Sequence, residues 1–215
     1  MKAVIFDFDG TLADTLPICF YSFQRVFEVF DKRKLTSLQV EEMFGPSEIG
    51  IIQQQLLHPA KEDAIEYFYQ IYSEYHHELV LENKEIIDLL LLLKSLHIKI
   101  GIFTGKARRS LDISLKALNM VEMFDVIVTG DDVVKPKPDP EGLLKAVNLL
   151  KVDKNDAVFI GDTDADIIAG KKAGITTIGV SWLAKEQVGS FSETPHSLLS
   201  SVKEFHCLVK ERVGI

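Results

Sequence analysis

From residue 98 onward the chain alternates short apolar, β-branched runs with helical patterns, and that alternation restricts it to architectures built on a parallel sheet. The runs are Ile98–Phe103, Val126–Thr129, Ala157–Ile160 and Thr176–Val180. A further run, Ala3–Phe6, opens the chain and has the texture of a buried parallel strand, so all five are expected in one sheet. Between Thr15 and Val80 the pattern is helical throughout. Leu16, Phe20, Phe23, Phe27 and Phe30 recur at helical spacing, Gly45-Pro46-Ser47 breaks the pattern, and a helix opened by Pro59 carries Phe68, Ile71, Tyr72 and Tyr75 on one face. Aromatic stripes of this kind are read as packing.

The expected fold class is therefore α/β, a doubly wound, Rossmann-like parallel sheet with an inserted all-helical domain. Residues 1–14 form the first part of the core, 15–80 the insertion and 81–215 the second part of the core. The insertion is joined by two crossings, near Asp14 and near Glu82-Asn83, and such a pair makes a natural hinge. A chain of 215 residues is long enough for this arrangement.

Composition narrows the function. The net charge of −8 argues against nucleic acid or an anionic membrane as partner, since both need clustered Lys and Arg. Cys19 and Cys207 are too few for a disulfide framework or a zinc cage, and both read as buried thiols of a cytoplasmic protein. Met1-Lys2 leads into a strand and then a charged turn, so no signal peptide is expected. The run Leu89–Leu93, bounded by Asp88 and Lys94, is too short for a bilayer and reads as a helix buried on most sides.

Chemistry concentrates at the strand ends, where open parallel sheets bind ligands. After the first strand, Asp7-Phe8-Asp9-Gly10-Thr11 puts two carboxylates and a hydroxyl at alternate positions, and with a period of two they leave the strand on the same side. After Ile98–Phe103 come Thr104 and Gly105, a hydroxyl and free N–H groups able to hold phosphate, although Thr104 alone could simply cap the next helix. Lys137 stands among Pro136, Pro138 and Pro140, on a stiff arm ahead of a helix with Asp139 as its N-cap; a lone loop lysine is ordinarily solvated. After Ala157–Ile160 comes Gly161-Asp162-Thr163-Asp164-Ala165-Asp166, where Thr163 and Asp166 have capping-box spacing. Three carboxylates in five residues exceed what capping requires, and hard-cation binding accounts better for Asp162. Four such signals in order, each directly behind a strand, point to phosphoryl transfer.

These residues resemble the haloacid dehalogenase superfamily. Asp7 to Thr11 looks like its first motif, Thr104 its second, Lys137 its third, and Gly161 to Asp166 its fourth. The position of the insertion is similar to the helical-cap branch that includes phosphoglycolate phosphatase, β-phosphoglucomutase and phosphonoacetaldehyde hydrolase. Phe44-Gly45-Pro46-Ser47, His76 to Val80, Thr129 to Val133 and Val180-Ser181-Trp182 look most like a bacterial pyrophosphatase and phosphoglycolate phosphatase group. One departure is Leu81-Glu82-Asn83-Lys84, where the family often has Pro-Gly as the cap returns to the core.

The resemblance implies a Mg²⁺-dependent phosphatase acting on a small phosphorylated metabolite, phosphoglycolate-like, or on pyrophosphate. Asp7 would attack phosphorus and form an aspartyl-phosphate, while Asp9 would act as acid and then base. The metal set would be the Asp7 side chain, the Asp9 main-chain carbonyl and Asp162, with Thr11 and Asp166 behind it. Thr104, the Gly105 N–H and Lys137 would bind the transferring oxygens. A phosphomutase of the same fold is an alternative, although the basic Lys-Gly element of that enzyme's cap is not supplied by Phe44-Gly45-Pro46-Ser47. A receiver-type phospho-acceptor domain is a further one, from a different class, but it would lack the insertion. Arg25, Lys32, Arg33, Lys34 and Lys61 are candidate contacts to a second anionic group, each more simply read as surface charge. His58, His76, His77, His97, His196 and His206 are read as structural or surface groups. Oligomeric state stays open.

Overall fold

The computed structural model describes residues 1–183 and 191–213, so part of the expected 81–215 segment lies outside the described residues. Strand β1 (Ala3–Phe6) is fully buried in the middle of a six-stranded sheet. On one side follow β2 (Lys99–Phe103) and β3 (Val126–Val128); on the other lie β4 (Ala157–Gly161), β5 (Thr176–Val180) and β6 (Ser197–Leu199). The order is β3-β2-β1-β4-β5-β6 and every pairing is parallel. Strand order therefore reverses between β1 and β4, the place where doubly wound sheets open a binding crevice. β6 was not anticipated: Ser197-Leu198-Leu199 is short and part-exposed, and it carries no β-branched run to announce it.

Strand alternation assigns the two cores. Val4, Phe6, Ile100, Ile102, Val158 and Ile160 face α5 (Lys84–Ser95), α6 (Arg108–Ala117) and α9 (Val202–Val213), whereas Ala3, Ile5, Phe103 and Phe159 face α7 (Glu141–Leu150) and α8 (Asp164–Ala173). Both faces are covered, which is why these strands read as unbroken apolar runs. In α5 the leucine run is one-sided: Leu89, Leu90 and Leu93 are buried, but Leu91 is 49% exposed, so the expectation of burial on most sides is corrected. Likewise Cys207 is exposed, because it stands off the stripe of Val202, Phe205 and Val209 by which α9 packs.

α8 lies so close to β5 that a Cβ at Gly170 would fall 1.9 Å from Thr177 Oγ1 and 2.9 Å from its Cβ and Cγ2, leaving no rotamer of Thr177 that makes room. Gly170→Ala gains about 1 kcal/mol of helix propensity. Overpacking at a buried helix–sheet contact costs about 1–3 kcal/mol and wins. The expected outcome is a melting temperature several degrees lower by circular dichroism; an unchanged one would mean that the helix–strand spacing yields.

Between β1 and α5 there is no strand, only α1 (Leu16–Asp31), α2 (Ser37–Glu41), α3 (Glu48–Gln55) and α4 (Lys61–Leu79). Phe23 of α1 meets Phe68 of α4 at 4.7 Å between ring centres, and Phe68 stacks on Tyr72, so the aromatic stripes are packing. This helical layer also rests on α6, where Ser114 lies 2.8 Å from the Tyr72 hydroxyl and 2.9 Å from His76 Nε2. At the return crossing Asn83 caps α5, accepting from the N–H groups of Glu85 and Ile86. Among the described residues no helix is long and apolar enough to cross a membrane.

Candidate active site

Asp7 leaves β1 at the switch point, held there by its N–H, which donates to Ile160 O of β4 at 2.8 Å. The strand period does not continue beyond Phe6. Residues 8–13 coil into a turn in which Leu12 N–H donates to Phe8 O and Gly10 N–H to Ala13 O, each at 2.9 Å, so the expected common side for Asp7, Asp9 and Thr11 is corrected. The turn aims each separately, and Asp7 and Asp9 still line one cavity. Gly10 has φ +79°, and a Cβ there would lie 2.2 Å from Asp162 Oδ2; glycine alone lets the turn press against that carboxylate.

Asp7 Oδ1 accepts from Lys137 Nζ at 2.8 Å, and Lys137 also donates to Asp166 Oδ1 at 2.6 Å. The ammonium lies 5.2 Å from the centre of the Phe103 ring, which shields it from water. Lys137 precedes α7, whose assigned N-cap is Pro140, one residue later than expected; Asp139 still does the capping chemistry by accepting from Glu141 N–H at 3.0 Å. Thr11 Oγ1 donates to Asp162 Oδ1 at 2.7 Å. α8 begins with the expected capping box between Thr163 and Asp166. Asp166 thus spends one oxygen on Thr163 and the other on Lys137, which suits a positioning role.

Thr104 is buried, and its Oγ1 accepts from Lys106 N–H at 3.2 Å rather than capping α6. Ala107 has no capping side chain of its own. That end is closed from elsewhere: Glu48 of α3 accepts from Ala107 N–H at 2.6 Å and Asp131 accepts from Arg108 N–H at 2.8 Å. Asp7, Asp9, Thr104, Gly105, Lys137 and Asp162 all border one cavity of about 340 Å³, lined also by Phe23, Phe44 and Ile51 of the helical layer. A larger, more open cleft of about 900 Å³ between α4 and α6 contains none of these strand-end groups.

Carboxylate oxygens of Asp7, Asp162 and Asp166 lie within 4.8 Å of one another. Burial pushes the Asp7 carboxyl up to about 7, Asp166 and Asp9 add to the rise, and Lys137 opposes it. Burial and the neighbouring Asp7 and Asp166 hold Asp162 far above the usual carboxylate range. One lysine does not balance this much buried negative charge, and an all-oxygen set of this kind fits a hard divalent cation. Burial and the nearby Lys106 push the His76 imidazole down to about 4, and His76 does not border the cavity.

The haloacid dehalogenase-like hydrolase profile matches residues 4–180. The chain belongs to that family. Pyrophosphatase PpaX of Bacillus anthracis is 31% identical over 211 residues, covering 98% of this chain and 97% of that one. PpaX of Bacillus cereus strain 03BB102 is 32% identical over 204 residues, covering 95% and 94%. Among solved structures, CbbY from Rhodobacter sphaeroides in complex with phosphate superposes with a TM-score of 0.84 at 24% identity, covering 95% of this chain and 96% of that one. A predicted phosphoglycolate phosphatase from Haemophilus somnus gives a TM-score of 0.80 at 19% identity, covering 97% and 98%. Both superpositions speak for the fold, and this hydrolase of the family shares it across nearly its whole length.

Three groups at the site were given no role by sequence reasoning. Lys106 pairs with Asp9 Oδ1 at 3.1 Å and Glu48 Oε1 at 3.3 Å, and the Thr15 hydroxyl donates to Asp9 Oδ1 in a short contact. Lys106 could have been found, since it follows Thr104-Gly105 at a strand end. Glu48 carries no local signal, because it arrives from a different helix layer. Arg25, Lys32, Arg33, Lys34 and Lys61 bond within the helical layer and do not border the cavity.

Proposed function

We propose that this chain is a Mg²⁺-dependent phosphatase that hydrolyses a small phosphorylated metabolite through an aspartyl-phosphate on Asp7. The observation that supports it most is the meeting of Asp7, Lys137 and Asp162 on one cavity at the sheet's switch point. Asp7 attacks phosphorus and the bond to the leaving oxygen breaks; Asp9 gives that oxygen a proton. Asp9 then takes a proton from water, which attacks phosphorus and returns Asp7 with release of inorganic phosphate. Lys137, Thr104 and the Gly105 N–H bind the transferring oxygens, where charge spreads in the transition state. A Mg²⁺ held by Asp7, Asp162 and the Asp9 main-chain carbonyl would supply the charge that lets a phosphate approach a carboxylate.

Helices α1–α4 act in this reading as a cap that hinges at residues 14–15 and 82–83 and excludes water when it closes. Thr15 stands at the first crossing, so its bond to Asp9 ties the acid–base group to the position of the cap. The protein works in the cytoplasm. A cavity of about 340 Å³ admits a small metabolite and excludes a protein substrate. Pyrophosphate is the second reading, favoured by the name of the relatives that match end to end.

The test is phosphate release from a panel of phosphate monoesters and pyrophosphate, with Mg²⁺ and with EDTA. Many turnovers per chain, abolished by EDTA and restored by Mg²⁺, are expected; a single stoichiometric burst would favour a phospho-acceptor or mutase instead. Independently of activity, Mg²⁺ at about a hundredfold its dissociation constant is expected to raise the melting temperature at pH 8 by about 5–11 °C. No shift would remove Mg²⁺ from the site.

A further inference from the structure

The cavity is bordered by a second cation besides Lys137, and the protein has already used it. Lys106, its side chain 1% exposed, meets Asp9 at 3.1 Å, Glu48 at 3.3 Å and Cys19 Sγ at 3.4 Å, and its ammonium lies 4.8 Å from the centre of the Tyr72 ring. The ammonium donates to Asp9 and to Cys19 Sγ and is ion-paired with Glu48. The start of α6, the other place where an anion could dock, is occupied as well: Glu48 accepts from Ala107 N–H and from Ser110 Oγ, which orients it against both lysine and helix. Glu41 brings another carboxylate to the cavity. Lys106 and Lys137 are the cations bordering the cavity among the described residues, and Lys137 is committed to the reacting phosphoryl group.

We propose that Glu48 is a specificity-determining residue: it fills the subsite where a second anionic group of the substrate would bind, so the enzyme takes phosphate monoesters whose leaving group is an uncharged, hydroxyl-bearing carbon fragment. This rests on the phosphatase reading and narrows it, against phosphoglycolate and pyrophosphate. The physical reason is that, among the described residues, a carboxylate or phosphate leaving group would enter beside Glu48 with no free cation to receive it. A hydroxyl can donate to that same carboxylate.

A matched pair of substrates isolates the effect, since 2-hydroxyethyl phosphate and 2-phosphoglycolate differ only in a hydroxymethyl group in place of a carboxylate. The wild-type protein is expected to favour 2-hydroxyethyl phosphate in kcat/KM by at least tenfold. Glu48→Gln keeps size and the bond from Ala107 N–H but removes the negative charge that would repel a substrate anion and leaves Lys106 paired with Asp9 alone, and it is expected to shrink that preference by at least tenfold, chiefly through the KM of phosphoglycolate. A structural role alone would slow both substrates together and leave the ratio where it was. Wild-type protein that hydrolyses phosphoglycolate or pyrophosphate as well as 2-hydroxyethyl phosphate overturns the proposal, whether or not the variant folds; so does a ratio unmoved in Glu48→Gln. Failure of the wild type to release phosphate from any ester would instead strike the phosphatase reading itself.

Discussion

Replacing Asp7 with Asn is expected to lower turnover by at least about 10⁴-fold and yet to raise the melting temperature of the metal-free protein at pH 8. Activity is lost because an amide oxygen is no nucleophile towards phosphorus, and removal of a nucleophile in a concerted constellation costs nearly the whole acceleration. Stability rises because Asp7 is buried beside Asp166 and Asp162, with a carboxyl pushed up to about 7. In the unfolded chain it titrates near 4, so between about pH 4 and 7 the native state holds the extra proton and stability falls as pH increases. Above pH 7 the penalty is complete, on the order of 4 kcal/mol at most. Asparagine carries none of it and still fits between Lys137 and the sheet. The melting temperature in EDTA should therefore exceed that of the wild type at pH 8 and approach it near pH 4. A variant that keeps a hundredth of wild-type turnover, or that melts lower at pH 8, would remove Asp7 from the role assigned to it.

Lys137→Ala is expected to cost about 10³-fold in turnover and, unlike the change at Asp7, to destabilise the fold. Lys137 bridges Asp7 and Asp166 at 2.8 and 2.6 Å with its side chain 10% exposed, so its loss leaves two buried carboxylates facing each other. Breaking a buried pair from one side costs about 3–5 kcal/mol, or roughly 6–20 °C for a chain of this size. The loss is larger at pH 8 than at pH 5, because Asp7 accepts a proton at the lower pH and the repulsion is relieved. Turnover falls because the charge spreading over the transferring oxygens loses its nearest fixed cation. Calorimetry at the two pH values, beside phosphate release, checks both halves. Equal melting temperatures for variant and wild type at pH 8 would mean that the bridge between Asp7 and Asp166 is not what holds these loops together.

The opposite signs expected for two residues in direct contact follow from burial. Each side chain is tolerable only in the presence of the other charges, so the site is held together by the lysine and strained by the carboxylates. Such strain is released by a divalent cation, which is why metal binding is expected to be visible as stability as well as activity.

Much of this was legible from residue order. The apolar runs announced five of the six strands because a doubly covered parallel sheet leaves no polar face to obscure them. That Asp7, Thr104, Lys137 and Asp162 meet on one cavity was legible because each sits directly behind a strand or just ahead of a helix, where a parallel sheet must bring them to one edge. The turn at residues 8–13 was misread because strand periodicity was carried beyond the last residue that pairs. Cys207 and Leu91 were misread because composition says how apolar a segment is, while helix phase decides which side of it faces water.

Residue order alone determined which backbone elements form and which strand ends carry acids, hydroxyls and a lysine, since local periodicity and turn chemistry are written within a few residues. Tertiary structure decided which charge cancels which. That Glu48 from the helical layer neutralises Lys106 behind β2, while Lys137 is left to serve Asp7, depends on groups 58 and 130 residues apart in the chain. Coulomb interactions follow distance in space, and only folding sets those distances.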